Sequence, residues 1–156
     1  MIIFVARILT MVNIEQVKQW VEGRWTLGAL HGVSHWERVE RNGLALATPE
    51  CDLTVIRLFA YLHDSCKEND GYDEQHGPRA AKMIVGLRNN LLKGLTDYQF
   101  ELLQTACCLH TTTHHTGDPT IDACLDADRL DHGRVGIKPD PEKMATEMGA
   151  ELANRV

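Results

Sequence analysis

Ten consecutive residues, Leu53-Thr54-Val55-Ile56-Arg57-Leu58-Phe59-Ala60-Tyr61-Leu62, form an apolar run broken by one charge, and the run ends directly in His63 and Asp64. Asp52 stands in front of it as a helix N-cap, and Leu53, Ile56, Phe59, Ala60 and His63 recur at the three-and-four spacing of related helical faces. His63 therefore continues a stripe that must be buried, and the fold has to accommodate an imidazole and a carboxylate at its core. Side by side, the two offer one nitrogen and one oxygen donor, a mixture suited to a borderline or hard divalent ion. The same doublet also reads as a core histidine next to a helix-end carboxylate. The remaining polar residues bear on that choice.

The 156 residues, 44% of them hydrophobic, support one domain with a real core. Helix signals recur along the chain and strand signals do not. Asn13 with Gln16 reads as a capping box opening a short helix through Trp20. A second helix is predicted from about Ser34 to Ala47, with Trp36, Val39, Leu44 and Leu46 as its apolar positions and Pro49 closing it. The acidic, glycine-containing segment 67–75 reads as a loop. Pro78 suits the first residue of a helix running to about Leu92, and Thr96 with Gln99 makes another capping box, with His110 at that helix's end. Asp118-Pro119 and Asp140-Pro141 each pair an N-cap with a first-turn proline, opening helices that contain Asp128 and Met144. The expected architecture is a compact all-α bundle of one domain over 13–156.

A net charge of −6 argues against a stable nucleic-acid complex, while leaving room for a local phosphate pocket. The five cysteines are odd in number and contain no Cys-x-x-Cys pair, so neither a disulfide framework nor a thiolate zinc site is expected, and a reducing cytoplasm fits. Residues 1–12 form an apolar extension that is too short to span a bilayer, is interrupted by Arg7 and lacks a small-residue cleavage site. Met11 offers an alternative start. No membrane association is expected.

His31 and His35 lie four apart, His63 and Asp64 end the third helix, His76 precedes the fourth, His110 ends the fifth and Asp128 lies in the sixth. Each is close to a helix terminus or on an inward face, so several helices can aim them at one cavity. His35-Trp36-Glu37-Arg38-Val39, His63-Asp64 and Asp126-Ala127-Asp128-Arg129-Leu130-Asp131 resemble, in order, the His, His-Asp and Asp signature of the HD-domain superfamily of metal-dependent phosphohydrolases. The resemblance covers about residues 28–137. It implies an HD-type helical bundle in which His35, His63, Asp64 and Asp128 hold one divalent ion and Asp126 points elsewhere.

His76-Gly77, His110-Thr111-Thr112 and His63-Asp64-Ser65-Cys66-Lys67-Glu68 resemble elements of bacterial HD-family diadenosine tetraphosphate hydrolases, in which a second ion is bound. The chain departs from them after Thr112, where a Gly is missing, and in its Asp-Ala-Asp-Arg-Leu-Asp ending. It is also similar to a group of small HD proteins sharing His-Gly-x-x-His-Trp and Glu-Asn-Asp-Gly. The implied activity is cleavage of a phosphate ester or anhydride of a nucleotide-like small molecule, with one or two ions drawn from Mn, Fe, Co, Ni, Mg or Zn.

The chemistry supports such a site. Phosphate esters are shielded by their own oxygens, and divalent ions both neutralise those oxygens and activate water, with Asp64 placed to bridge two of them. Lys67, one turn beyond His63, is the natural cation for a phosphate oxygen, and Arg38 or Arg129 assists it or is paired structurally with a carboxylate. Glu68 positions water near the ions or is merely solvated. His31 is an outer-shell partner or proton donor, or a partly buried helix cap. His114 contacts substrate, or it or His115 replaces His110 as a ligand, or both face solvent. His132 reads as structural. Two other readings stay open: an HD-domain oxygenase with two irons, and a nucleotide-binding domain with a structural metal and no turnover. The chain is expected to act as a monomer or homodimer.

Overall fold

A computed structural model describes residues 11–156, so the apolar extension lies outside the described residues except for Met11 and Val12. Seven α-helices account for the architecture of the described residues: α1 (Ile14–Arg24), α2 (Val33–Leu46), α3 (Leu53–Leu62), α4 (His76–Met83), α5 (Asp97–Leu109), α6 (Pro119–Arg129) and α7 (Glu147–Asn154). Short 3₁₀ turns at Ala29–His31, Ile84–Leu87, His132–Val135 and Pro141–Lys143 connect them. No strand occurs among the described residues, and none of their helices is long and apolar enough to cross a membrane. The domain is all-α.

The apolar run is the axis of the fold. Asp52 caps α3 by accepting from the Val55 amide, and Val55, Ile56, Leu58, Phe59, Ala60, Tyr61 and Leu62 are all buried. A helix buried on nearly every face must be surrounded, and α1, α2, α5 and α6 pack around it. Helix α2 comes close at Gly43, where a Cβ would stand 2.5 Å from Ile56 Cγ2. Leu53 remains half exposed at the start of α3, because the first turn projects beyond its neighbours.

Several boundaries differ from the sequence expectation for identifiable reasons. Asn13 does cap α1, yet the helix continues past Trp20 to Arg24 because Val17 and Val21 keep the buried stripe going. Gly43, rather than Leu44, occupies the inward position of α2, and Leu44 is exposed. α4 opens at His76, two residues before Pro78, and at Met83 gives way to a 3₁₀ turn that buries Ile84 and Leu87 without reaching Leu92 as a helix. Thr96 and Gln99 form the full reciprocal capping box of α5. Asp118 caps α6, with Pro119 as its first residue. Asp140-Pro141 opens only a 3₁₀ turn, and Thr146 caps α7 in place of a helix through Met144.

The α6–α7 joint is built on a buried carboxylate. Asp126 is fully buried and accepts from the Ala145 amide at 2.7 Å, the Thr146 amide at 2.8 Å and the Thr146 hydroxyl at 2.7 Å, while Arg129 Nη1 approaches to 3.3 Å. The Thr146 hydroxyl in turn accepts from the Gly149 amide, so one carboxylate orients the cap of α7. Asp126→Ala would leave the half of the pair on Arg129 and two amides unsatisfied, and is expected to cost about 3–5 kcal/mol. Urea unfolding checks this; a loss below about 1 kcal/mol would mean the joint does not hold α7.

Candidate metal centre

Five helix termini meet at one point. His35 lies in the first turn of α2, His63 closes α3 with Asp64 next to it, His76 begins α4, His110 closes α5, and Asp128 is one residue from the end of α6. The ends of α3, α5 and α6 bring partial negative charge from carbonyls without intrahelical partners, which favours a cation there.

The four imidazoles are all held by Nδ1. His63 Nδ1 donates to the Phe59 and Ala60 carbonyls, each at 3.0 Å, His110 Nδ1 to the Cys107 carbonyl at 2.7 Å, and His76 Nδ1 to the Asp73 carbonyl. A carbonyl only accepts, so each of these Nδ1 atoms carries the proton. His35 Nδ1 bonds the Asp131 carboxylate at 2.7 Å. In a singly protonated ring the Nε2 is thereby left as a lone-pair donor pointing inward. His35 Nε2 lies 3.2 Å from His63 Nε2, and His76 Nε2 lies 2.8 Å from His110 Nε2. Two lone pairs so close repel each other unless a cation or a proton stands between them.

Two carboxylates complete the cage. Asp64 Oδ2 is 3.2 Å from His35 Nε2 and 3.4 Å from His63 Nε2, and Asp128 Oδ1 is 3.4 and 3.5 Å from the same two atoms. These histidine–carboxylate separations are close to the spacing of about 3.3–3.4 Å between neighbouring ligand atoms on a metal with bonds near 2.0–2.1 Å. The other oxygen of Asp64, Oδ1, faces the second histidine pair, 2.8 Å from His76 Nε2 and 3.4 Å from His110 Nε2. Asp64 thus links two ligand groups. Asp64 Oδ2 and Asp128 Oδ1 are buried without a hydrogen-bond donor, a costly state for ionised oxygens that a divalent cation relieves. Three overlapping sets, His35 with His63 and Asp64, His63 with His110 and Asp128, and Asp64 with His76 and His110, each have donor atoms within 4.8 Å of one another and could hold a metal ion.

The electrostatics agree with the geometry. Burial disfavours ionised Asp64 and Asp128, but His63, His110, His35 and His76 around Asp64, and His35 and His63 against Asp128, outweigh it and hold both carboxyls well below their usual range. Burial also opposes charge on His35, yet Asp128, Asp131 and Asp64 together push it up to about 10. The carboxylates that favour positive charge on His35 also favour a metal cation beside it.

The cage forms the floor of a cavity of about 330 Å³ whose walls include Lys67, Tyr72, His114, His132 and Arg134. Lys67 reaches the wall with its ammonium donating to the Gly71 carbonyl at 3.3 Å. Glu68 is exposed, faces Arg79 at 3.6 Å and does not line the cavity. Arg38 is also outside it, held by Asp131 Oδ1 at 2.7 Å. Arg129 borders the cavity, but its donors are committed to the Thr113 and His114 carbonyls and to Asp126. His114 is an exposed wall residue, and His115 turns toward Asp122 at 3.5 Å. His132, read from the sequence as structural, is half-buried at the wall, and burial lowers its pKa.

His31 has the opposite tautomer to the cage histidines. The Arg134 guanidinium can only donate, so His31 Nδ1, 3.4 Å from Arg134 Nη2, accepts, and Nε2 donates to the Asp70 carbonyl at 3.2 Å. Burial lowers its pKa and favours this neutral form. His31 therefore ties the loop 67–75 to the turn that carries Arg134.

Three contributors escaped the sequence reading. Asp131 anchors His35 and Arg38, and its position one turn after Asp128 was the available signal. Gly77 lets α4 rest on the end of α5: a Cβ there would stand 2.7 Å from the Cys107 carbonyl, the group that anchors His110. Arg134 gave no signal, because its place depends on the 3₁₀ turn His132–Val135 and the left-handed Gly136 after it.

Asp131→Ala frees the His35 ring to choose its tautomer, and is expected to weaken divalent-ion binding about 10–100-fold with the fold retained, as for other partners that orient a ligand. Cobalt titration followed by absorbance checks it; unchanged affinity would remove Asp131 from the centre. Comparison of the chain with protein-family models, curated proteins and solved structures gives no match, so what the centre does is argued from its side chains.

Proposed function

We propose that the protein is a metal-dependent phosphohydrolase of the HD type, cleaving a phosphate ester or anhydride of a nucleotide-like small molecule. The observation that carries this reading is the division of Asp64, with one oxygen facing His35 and His63 and the other facing His76 and His110. That arrangement suits two ions sharing one carboxylate: His35, His63, Asp64 and Asp128 for the first, and Asp64, His76 and His110 for the second. Bound there, divalent ions supply positive charge for phosphoryl oxygens and lower the pKa of water. The mixed nitrogen and oxygen donors, without thiolate, favour ions such as manganese, iron or cobalt.

The chain's own groups account for the rest. Lys67 at the wall offers its ammonium to a phosphate oxygen after giving up a single long bond to Gly71. The hydroxyls of Thr111, Thr112 and Thr113 line the same space. Tyr72 and Ile137, 87% and 57% exposed, stand at its edge, where a substrate ring would cover them. The five cysteines are all free, in keeping with a reducing cytoplasm.

Protein purified without chelator is expected to carry two divalent ions per chain and to release phosphate from at least one member of a panel of nucleotides, dinucleoside polyphosphates and phosphomonoesters. Asp64→Asn is expected to lose ions and activity together, and exposed His115→Ala to keep both. Gly77→Ala, which pushes α4 away from α5, is expected to lower the count to one ion without unfolding the domain. Metal-loaded protein inactive on the whole panel would sink the hydrolytic reading. An oxidised, phosphate-free product with mixed-valent iron would point to an oxygenase, and tight nucleotide binding without turnover to a sensor.

A further inference from the structure

Three arginines surround the acidic end of α6, and their surroundings are unlike. Arg38 is taken up by Asp131 and lies outside the cavity. Arg129 is locked by two backbone carbonyls and Asp126. Arg134 is different. Its side chain is only 10% exposed, yet its one firm hydrogen bond is from Nη1 to the Asp131 carbonyl at 2.8 Å. Nη2 makes a long contact with His31 Nδ1 at 3.4 Å and lies 3.7 Å from Asp128 Oδ1, and Nε is buried with no partner. Buried arginines are ordinarily paired, and this one keeps donors in reserve at the wall of the cavity beside the carboxylate cage.

We infer that Arg134 is the guanidinium that grips the phosphoryl group of the substrate, with His31 as the residue that positions it. The inference rests on the hydrolytic reading and adds a specific contact to it. A guanidinium fork matches two phosphate oxygens at once, and the nearness of Asp128 Oδ1 places that fork next to the ligand group around His35 and His63. His31 holds the fork by accepting from Nη2 while its other nitrogen is occupied by Asp70. Arg134 is thereby oriented with Asp128 Oδ1 at 3.7 Å and Asp131 Oδ2 at 4.0 Å, neither within hydrogen-bond distance, so its Nη2 hydrogens can turn to an anion.

Calorimetric titration of manganese-loaded protein with inorganic phosphate and pyrophosphate tests the assignment. Arg134→Gln is expected to weaken binding about 10–100-fold, the range for a lost charge-assisted pair of hydrogen bonds, at unchanged manganese content and melting temperature. Arg134→Lys is expected to recover less than half of that loss on a logarithmic scale, because an ammonium cannot make the two-pronged contact. His31→Ala is expected to weaken binding in the wild-type background and to add nothing in the Arg134→Gln background. Wild-type phosphate affinity in Arg134→Gln, or full recovery by lysine, would overturn the inference while leaving hydrolysis by wild-type protein standing. Wild-type protein that neither binds nor releases phosphate would overturn the hydrolytic reading as well.

Discussion

The structure depends on a concentration of like charge that it has to neutralise. Asp64 and Asp128 are buried and ionised at the base of the cavity, and Asp131 supports them from one turn further on. Four imidazoles surround them, and a ring that carries a single proton keeps it on the outer nitrogen, which leaves an inward lone pair that cannot donate to the carboxylates. Either extra protons or metal cations must balance the cage. Nothing else in the fold, neither apolar burial nor helix capping, requires this arrangement. It stands in the molecule as a cost that bound cations would offset.

The bundle is well suited to imposing that arrangement. Three histidines reach back to carbonyls three or four residues earlier, His63 to Phe59 and Ala60, His76 to Asp73 and His110 to Cys107, so each ring is fixed by its own local chain. Local anchoring makes the ring orientation insensitive to small shifts between helices. What the tertiary packing must supply is only the meeting of helix ends, and the buried α3 supplies it by gathering α1, α2, α5 and α6 around one axis. Phe59 fills the space under the cage, stacked on His63 with ring centroids 4.8 Å apart and edge-on to His110.

Much of this was legible in the sequence because helical periodicity and capping are local properties. The buried run of α3, the cap at Asp52, the capping box at Thr96 and the Asp118-Pro119 start of α6 all follow from residues within a turn of one another. The meeting of His35, His63, Asp64, His76, His110 and Asp128 was expected from their common placement at helix ends. The misjudged features depend on distant neighbours: Gly43 displaces Leu44 because Ile56 needs the space, and the segment after Met83 tightens into a 3₁₀ turn to bury Ile84 and Leu87. Arg38 and Arg129 were natural candidates by proximity to the motifs, but proximity says nothing of whether a guanidinium's donors are already in use. Arg129's carbonyl partners and the turn carrying Arg134 become visible only when the chain is folded.

The distribution of charge bears on the size of the molecule such a pocket admits. A chain of net charge −6 repels polyanions over most of its surface, which disfavours an extended nucleic acid. At the cavity the walls bring Lys67, Arg129 and Arg134 together beside Asp64, Asp73, Glu74 and Asp128. A small phosphate is attracted by the three basic groups at short range, whereas a long polyanion must also lie against the acidic surface beyond them. The exposed side chains of Tyr72 and Ile137 at the edge then favour a ligand that pairs an anionic end with an apolar ring. On the proposed hydrolytic reading, charge and shape would suit the same ligand: a compact phosphorylated molecule with its anion toward the cage and its ring at the rim.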